Sequence, residues 1–501
     1  MLIEALLAVT FLAAFATLLA PNRWAGRVAF VASLLPLVGS LWMYATFEAS
    51  GNALLGGDVA FETVAPWITV GPYDVSWHVG LDGLSLPLVV LTTVLTTLAI
   101  AYAWNSVEER PSQFFGLLLF TEASLVGVFS ALDFFVWFVF WEFVLVPMYL
   151  LVAVWGGPRR KYAAIKFFVY TNVASLVMFV GVMMLVFASG VDSLSLAAIA
   201  GAHVGSLYGL SASTVKAVAF AAMFFGFAVK AALVPVHTWL PDAYVEAPTP
   251  VTIVLAGVVT KMGTYSLLRF NFTMLPDVAD AWAPYIATIA VVTVLYGATV
   301  AIAQHDIKRL VAYSSIPSMG FVVLGLVAYT TYGMAGAAFQ MVSHGFLIAL
   351  LFLAAGLVEE STGTRAVEKL SGLADELPVV SALFVAGAFG YMGLPSMSGF
   401  AAEFFIFTGS FAGGYPGAAA FTAVAMFGIV VIAGYLLWTM QRVLFGPYEV
   451  EGDVTPAPRV DLAVGVVLVL LAVLLGVAPA VFMAPIQDAV QPLVAAFGGG
   501  L

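Results

Sequence analysis

Six ionisable side chains stand inside or beside apolar runs. Glu142 lies in "FFVWFVFWEFVLVPMYLLVAVW", and Lys230 and His237 in "FFGFAVKAALVPVHTWLPDAYVEAPTP". Lys261 lies in "VTIVLAGVVTKMGTYSLLRF", His344 in "FQMVSHGFLIALLFLAAG" and Glu403 in "FAAEFFIFTGSF". Together they supply two carboxyls, two amines and two imidazoles, and each can take up or release a proton. No nucleophile–base–orienter set accompanies them. The chain has no metal-ligand spacing and no phosphate-binding glycine loop after a strand. Desolvation disfavours the charged form of an amine or a carboxyl, and a nearby opposite charge favours it. Moving one charge therefore changes the proton affinity of its neighbours, which is a workable pumping device.

The elements that must hold these groups are membrane helices. Of 501 residues, 63% are hydrophobic and only 9% charged, against about 25% charged in soluble domains. The hydrophobic runs are each long enough to cross a bilayer as a helix. Stretches such as "LAVGVVLVLLAVLLGVAPAVF" lack the alternation of a membrane β-barrel strand. A charged group at the centre of such a helix costs about 2.5–3.5 kcal/mol even on a lenient insertion scale. The bland alternatives are snorkelling to an interface and a structural ion pair. Those alternatives suit Lys166 and Lys216, near helix ends. Glu122, mid-span, is open to either reading, and Asp133, in a short turn, is expected to be solvated. There is no cysteine, so the chain can ligate no iron–sulfur cluster and form no disulfide. The first twenty residues carry Glu4 and no basic segment, which favours a retained first helix over a cleaved signal peptide.

The sequence reads as an all-α polytopic membrane protein with about fourteen spans, centred near residues 11, 36, 94, 121, 144, 175, 229, 260, 291, 318, 345, 394, 430 and 473. This count places thirteen of the seventeen Lys and Arg on one side, including Arg159, Arg160 and Lys161, Lys308 and Arg309, Arg365 and Lys369. Lys216 and Arg269 fall near the other side, and Lys230 and Lys261 lie inside spans. Because cytoplasmic loops are rich in basic residues, both termini are expected outside the cytoplasm. The outer segment Phe61–Val79 alternates weakly and suggests a small hairpin. Glu359–Glu376 suggests a short surface helix, "FGPYEVEGDVTPAPRVD" an irregular acidic loop, and "FGGGL" a tail. The net charge of −11, concentrated in loops, fits either ordinary solvated loops or a salty cytoplasm.

Two spans are interrupted. Pro235 breaks the seventh beside Lys230 and His237, and Gly393, Pro395 and Gly399 break the twelfth just before Glu403. Broken backbone at membrane depth is tolerated only where it is buried in protein or lines a water-filled cavity. The carbonyls freed by Pro235 need water or polar partners, with His237 and Thr238 at hand. The stretch suggests a hydrated half-channel with Lys230 as its inner relay. Spans 4–8 and 9–13 form two five-span units, so the second is inverted. Broken helices at matching places are the sequence pointer to an inverted-repeat transporter. The expected divisions are 1–110 (spans 1–3 and the outer loop), 111–272, 273–445, and 446–501 (a loop and the last span).

"WHVGLDGLSLPLVVLTT", "VFWEFVLVPMYLLVAVWGG", "KYAAIKFFVYT", "HTWLPDA" and "HDIKRLVAYSSIPSMGF" resemble the antiporter-like M-type subunits (NuoM type) of respiratory complex I, over about residues 75–445. L- and N-type subunits, Mrp antiporter subunits and membrane-bound hydrogenase subunits share the lysine and "HTWLPDA" region. "GLDGLSLPL", "VPMYLL" and a glutamate on the broken twelfth span favour the M type. The resemblance implies fourteen helices and a central proton path. It implies that Glu142 pairs with Lys230, that Lys261 relays, that Glu403 is the exit carboxylate, and that His237 and His344 match the family's histidines. Where the family often has a histidine before the "MGF" turn, this chain has Ser318, so the tenth-span relay is expected to run through water and Ser318. His305 lies outside the usual pattern.

The expected function is a proton-translocating membrane subunit of a complex-I-type quinone oxidoreductase in a prokaryotic cell membrane. The chain itself would carry no cofactor. Flavin, iron–sulfur clusters and quinone belong to partner subunits, with L-type and N-type neighbours beside it in the lipid bilayer and no nucleic acid. The alternatives are an Mrp-type cation/proton antiporter subunit and a non-transporting scaffold.

Overall fold

The computed structural model describes residues 1–104, 106–450 and 454–496. The tail 497–501 and part of the acidic loop, 451–453, lie outside the described residues. The apolar runs fold as long helices. α1 (Leu2–Leu19), α2 (Asn22–Ala45), α3 (Leu86–Ala103), α4 (Pro111–Ser130), α5 (Phe134–Trp155) and α6 (Arg160–Ser189) each form one span. After the short α7 (Leu196–Gly201), the seventh span is split into α8 (Ala212–Ala231) and α9 (Trp239–Glu246). The eighth, Thr249–Phe272, is continuous but irregular: α10 (Thr249–Val254) and α11 (Thr260–Ser266) alternate with π-helical turns at Leu255–Val259 and Leu267–Phe272.

The short α12 (Pro276–Ala281) leads to α13 (Ala283–Ile302), α14 (Ile307–Val327) and α15 (Thr331–Thr362). The four-residue α16 (Leu373–Glu376) follows, and then a split span made of α17 (Pro378–Tyr391) and α18 (Ser398–Phe411). α19 (Ala418–Leu444) and α20 (Arg459–Val477) complete the membrane set, and α21 (Ala480–Ala495) closes the described chain. Among the described residues thirteen helices are long and apolar enough to cross a membrane; the split pair α17–α18 makes the fourteenth span.

The loop between α2 and α3, expected on the outer side, forms the expected hairpin, β1 (Ala60–Val70) paired antiparallel with β2 (Tyr73–Leu81). Asp133 is a correction: it is fully buried, not solvated. Its carboxylate caps α5 by accepting Phe135 N–H (2.9 Å) and Val136 N–H (3.3 Å), and also takes Ser76 N–H (3.2 Å) from β2. A sharp turn between two spans leaves the α5 N-terminal amides needing an acceptor, and Asp133 is placed to supply it.

α21 was not foreseen as a separate helix. It lies against the outer loop, where Asn52 Nδ2 donates to Ala489 O (3.1 Å) and Gly51 N–H to Asp488 Oδ2 (2.6 Å). Beside this seam Asp82 and Arg269, both buried, form an ion pair. Arg269 also donates to Asn52 Oδ1 (3.2 Å) and Tyr265 Oη (3.0 Å). Asp82 further accepts the amides of Ala53, Leu84 and Ser85. Burial would raise the Asp82 pKa, but the Arg269 guanidinium and these hydrogen bonds hold it below the usual carboxylate range.

Candidate functional site

A buried polar cluster joins the eighth and eleventh spans. α15 and the Thr249–Phe272 span cross where glycine faces glycine: a Cβ at Gly345 would stand 2.9 Å from Gly257 O. This close approach, available only to small residues, brings Lys261 and the adjacent His344 together. Lys261 Nζ lies 2.5 Å from His344 Nδ1 and donates to Ala256 O at 2.5 Å. His344 Nε2 lies 3.2 Å from Ser315 Oγ on α14. The π turn at Leu255–Val259 widens the helix where the Lys261 side chain folds back. Such turns gather at functional sites.

The amine and imidazole share one hydrogen bond, so they cannot both donate along it. If Lys261 is an ammonium, Nδ1 accepts and Nε2–H points at Ser315; if the imidazole donates at Nδ1, the amine is neutral. The pair is thus built to pass a proton between its members. The direct tenth-span contact of His344 is Ser315, a residue not singled out in the sequence. The Tyr391 ring lies 5.6 Å from the His344 ring, and its buried hydroxyl has no hydrogen-bond partner among the described residues.

Lys230 ends α8, just before Ala232 takes a left-handed conformation (φ 56°). It is 2% exposed, and its ammonium has no hydrogen-bond partner among the described residues. It stands 5.2 Å over the Trp141 ring and 5.8 Å over the Phe167 ring. The implied contact with Glu142 is not closed: Glu142 Oε1 is buried and likewise without a hydrogen-bond partner. The reason is helical phase. On α5 the inward position belongs to Trp141, while Glu142 is half-buried and its neighbour Phe143 is exposed.

Groups beyond those expected also satisfy the broken seventh span. The Trp239 indole donates to Val229 O (2.8 Å), and Val234 N–H to Thr293 Oγ1 (3.1 Å). His237 is 3% exposed, packs edge-on against Tyr296 of α13 at 4.9 Å, and its Nδ1 has no hydrogen-bond partner among the described residues. Thr238 Oγ1 donates to Tyr170 Oη (2.9 Å). No hydrogen bond joins His237 to Lys230 among the described residues.

Glu403, 5% exposed, sits on α18 against the second break. Gly393 there has φ +67°, and a Cβ on it would lie 2.6 Å from Glu403 Oε2, so the absent side chain makes room for the carboxyl. α18 is tied to α15 by Ser343 Oγ to Ser398 Oγ (2.9 Å).

Residues outside the expected set complete the frame. Asp242 accepts from Lys166 (2.7 Å) and Arg309 (3.1 Å), linking α9 to α6 and α14 and so joining the two five-span units. Its place in "HTWLPDA" beside the basic "IKR" was the available signal. His305 is a surface residue paired with Glu368 (2.5 Å), away from this cluster. On the face that carries most of the Lys and Arg, a cleft of about 960 Å³ opens at the ends of the spans bearing Lys261 and His344. Its lining includes Thr249, Asp306, Lys308, Glu359, Glu360 and Arg365. Lys308 pairs there with Glu359 (2.5 Å), and Tyr102 donates to Glu360 (2.7 Å).

The family model described as NADH:quinone oxidoreductase/Mrp antiporter, TM, matches residues 131–430, a range that contains all six ionisable residues. The chain is 36% identical to F(420)H(2) dehydrogenase subunit M of Methanosarcina mazei, over 91% of this chain and 90% of that one. It is 37% identical to NAD(P)H-quinone oxidoreductase chain 4 1 of Nostoc sp., over 90% and 82% of the two chains. Among solved structures, a chain of respiratory complex I from Thermus thermophilus with bound NADH matches with a TM-score of 0.88 and 27% identity, over 100% of both chains.

Proposed function

Because the chain belongs to the NADH:quinone oxidoreductase/Mrp antiporter family of membrane proteins, we propose that it is the proton-translocating M-type subunit of a complex-I-type quinone oxidoreductase. The observation that carries this reading is the Lys261–His344–Ser315 chain of contacts at the crossing of two buried spans. A scaffold has no use for an amine and an imidazole sharing one hydrogen bond at membrane depth, where each charge is costly. Lys230, Glu142 and His237 serve as the first relay and Glu403 as the exit group. Water bridges the gaps that direct hydrogen bonds do not span.

Redox chemistry takes place in partner subunits that hold flavin, iron–sulfur clusters and quinone, and it drives this chain by displacing charge near Glu142. Antiporter-like neighbours flank it in the membrane. The basic face is cytoplasmic, and both termini lie outside. The test is reconstitution of the assembled complex in vesicles, with quinone reduction and proton uptake measured together. Redox turnover with proton uptake that is lost in Lys261→Ala, in a complex still assembled, is the expected result. Uptake at the wild-type ratio in that variant would overturn the reading. A protease site placed in 446–450 reports sidedness, with cleavage from the cytoplasmic side expected.

A further inference from the structure

Glu122 lies mid-way along α4, fully buried, and neither carboxyl oxygen has a hydrogen-bond partner among the described residues. Neighbouring contacts fix the direction in which it points. Gly116 faces α1 and Gly127 faces Phe140 of α5. Phe115, seven residues before Glu122, meets Gly26 of α2, and Phe129, seven residues after, stacks edge-on against Tyr265 of α11 at 5.3 Å. Seven residues are close to two full helical turns, so Glu122 shares the Phe115–Phe129 face. It is turned away from α1 and α5, toward α3 and the span that carries Lys261.

α3 offers one matching group. A Cβ at Gly26 would lie 3.3 Å from both Phe115 Cε2 and Trp104 O, so the start of α4 and the end of α3 meet at one depth. Rising about 1.5 Å per residue, Glu122 and Thr96 then reach depths of roughly 10.5 and 12 Å from that point. Thr93 and Thr97 turn their hydroxyls to α2, bonding Ser40 Oγ and Ser33 O. Leu91 and Leu95 face Gly345 and Gly257. Val94, Leu98 and Ala101 form the part-exposed flank. Thr96 is left on the opposite, fully buried flank, which α4 covers, and its hydroxyl also has no hydrogen-bond partner among the described residues.

On the elements packed against α4, the titratable or charged side chains are Glu4, Arg23, Arg27, Tyr44, Tyr73, Asp74, His78, Tyr102, Glu142, Tyr149, Lys261 and Tyr265. Glu142 lies on α5, the side away from which Glu122 is turned; on the side it faces stands Lys261, whose side chain folds back to Ala256, next to the Gly257–Leu95 contact. A buried carboxylate with no counter-ion or donor is not tolerated, whereas a neutral acid that binds water is.

We propose that Glu122 and Thr96 form a protonated, water-binding carboxylic acid site between α3 and α4, which exchanges its proton with the Lys261–His344 pair. Thr96 supplies one hydroxyl to the bound water. In the exchange the Glu122 O–H bond breaks and an N–H bond forms on the neutral amine or imidazole. Carboxylate and cation then face each other across the Leu95–Gly257 layer, and the reverse transfer restores both neutral groups. The exchange rests on the proposed proton path; the neutral acid does not.

Infrared spectroscopy of the assembled complex in membranes, in H2O and D2O, separates the two. The static difference between wild type and Glu122→Gln should contain a carboxylic acid C=O band that shifts in D2O and in Thr96→Val. Under turnover this band should change in wild type and stay constant in Lys261→Ala. A carboxylate band in its place, or an acid band indifferent to Thr96→Val, overturns the site. A band unmodulated by turnover, in a complex whose proton uptake still depends on Lys261, overturns the exchange while the proposed function stands. If Glu122→Gln does not assemble, Thr96→Val alone must shift one carboxylic band, and no shift overturns the site.

Discussion

Lys230 and Lys261 occupy consecutive spans, are both at most 2% exposed, and have opposite surroundings. Lys261 is held by a carbonyl and an imidazole inside an unbroken but widened helix. Lys230 ends a broken helix with aromatic faces below it and no hydrogen bond among the described residues. The backbones between them are close: a Cβ at Gly263 would stand 2.5 Å from Ala231 N. A fixed group passes a proton along a set geometry, whereas an unanchored ammonium beside a broken backbone is free to change partners. Under the proposed function, the difference suits Lys261 to a fixed relay and Lys230 to a relay that changes partners. The half-buried Glu142 stands toward the edge, where a charge arriving from outside the chain can reach it.

That contrast can be broken by substitution. Lys261→Ala has the largest expected effect: proton uptake falls about tenfold or more, and each buried acceptor stranded at Ala256 O and His344 costs about 1–3 kcal/mol of stability. Uptake assays and thermal unfolding of the assembled complex check both. Native stability in this variant would erase the distinction between the lysines. Lys230→Ala and Glu142→Gln come next, each strongly reducing uptake with the complex assembled. No hydrogen bond is lost at Lys230, so its stability change stays within the worth of a cation–π contact, up to about 2 kcal/mol, offset by the desolvation relieved. Glu403→Lys should keep part of the uptake-to-redox ratio, and Glu403→Ala none. A wild-type ratio in Glu403→Ala would make that carboxyl structural. Smallest in its effect on uptake is Asp133→Ala, which removes a helix cap worth about 1 kcal/mol together with the acceptor of Ser76 N–H, and should leave the ratio unchanged.

The spans, the hairpin and both breaks were legible in the sequence because each has a local cause: run length, alternation, or Pro and Gly. All six ionisable residues lie at membrane depth or beside a break for the same reason. Their partners were not legible. Ser315 rather than Ser318 meets His344 because the Gly257–Gly345 crossing sets the height of α15 against α14. Glu142 and Lys230 attract each other without a direct hydrogen bond, because one step of helical phase gives the inner face to Trp141. The π turns around Lys261 carry no composition signal. α21 was not separated from the last span; it follows the end of α20 after only Ala478 and Pro479.

The seam between the outer loop and α21 joins residues 437 positions apart, through Gly51 to Asp488 and Asn52 to Ala489. Asn52 in turn accepts from Arg269, the partner of Asp82. During synthesis, Asn52 and Arg269 are both made long before α21 leaves the ribosome. Until it does, Asn52 has no carbonyl to bind and the loop no lid. The seam therefore closes only once α21 is in place: a chain truncated before it leaves the Gly51 amide and Asn52 Nδ2 without the acceptors they bind here.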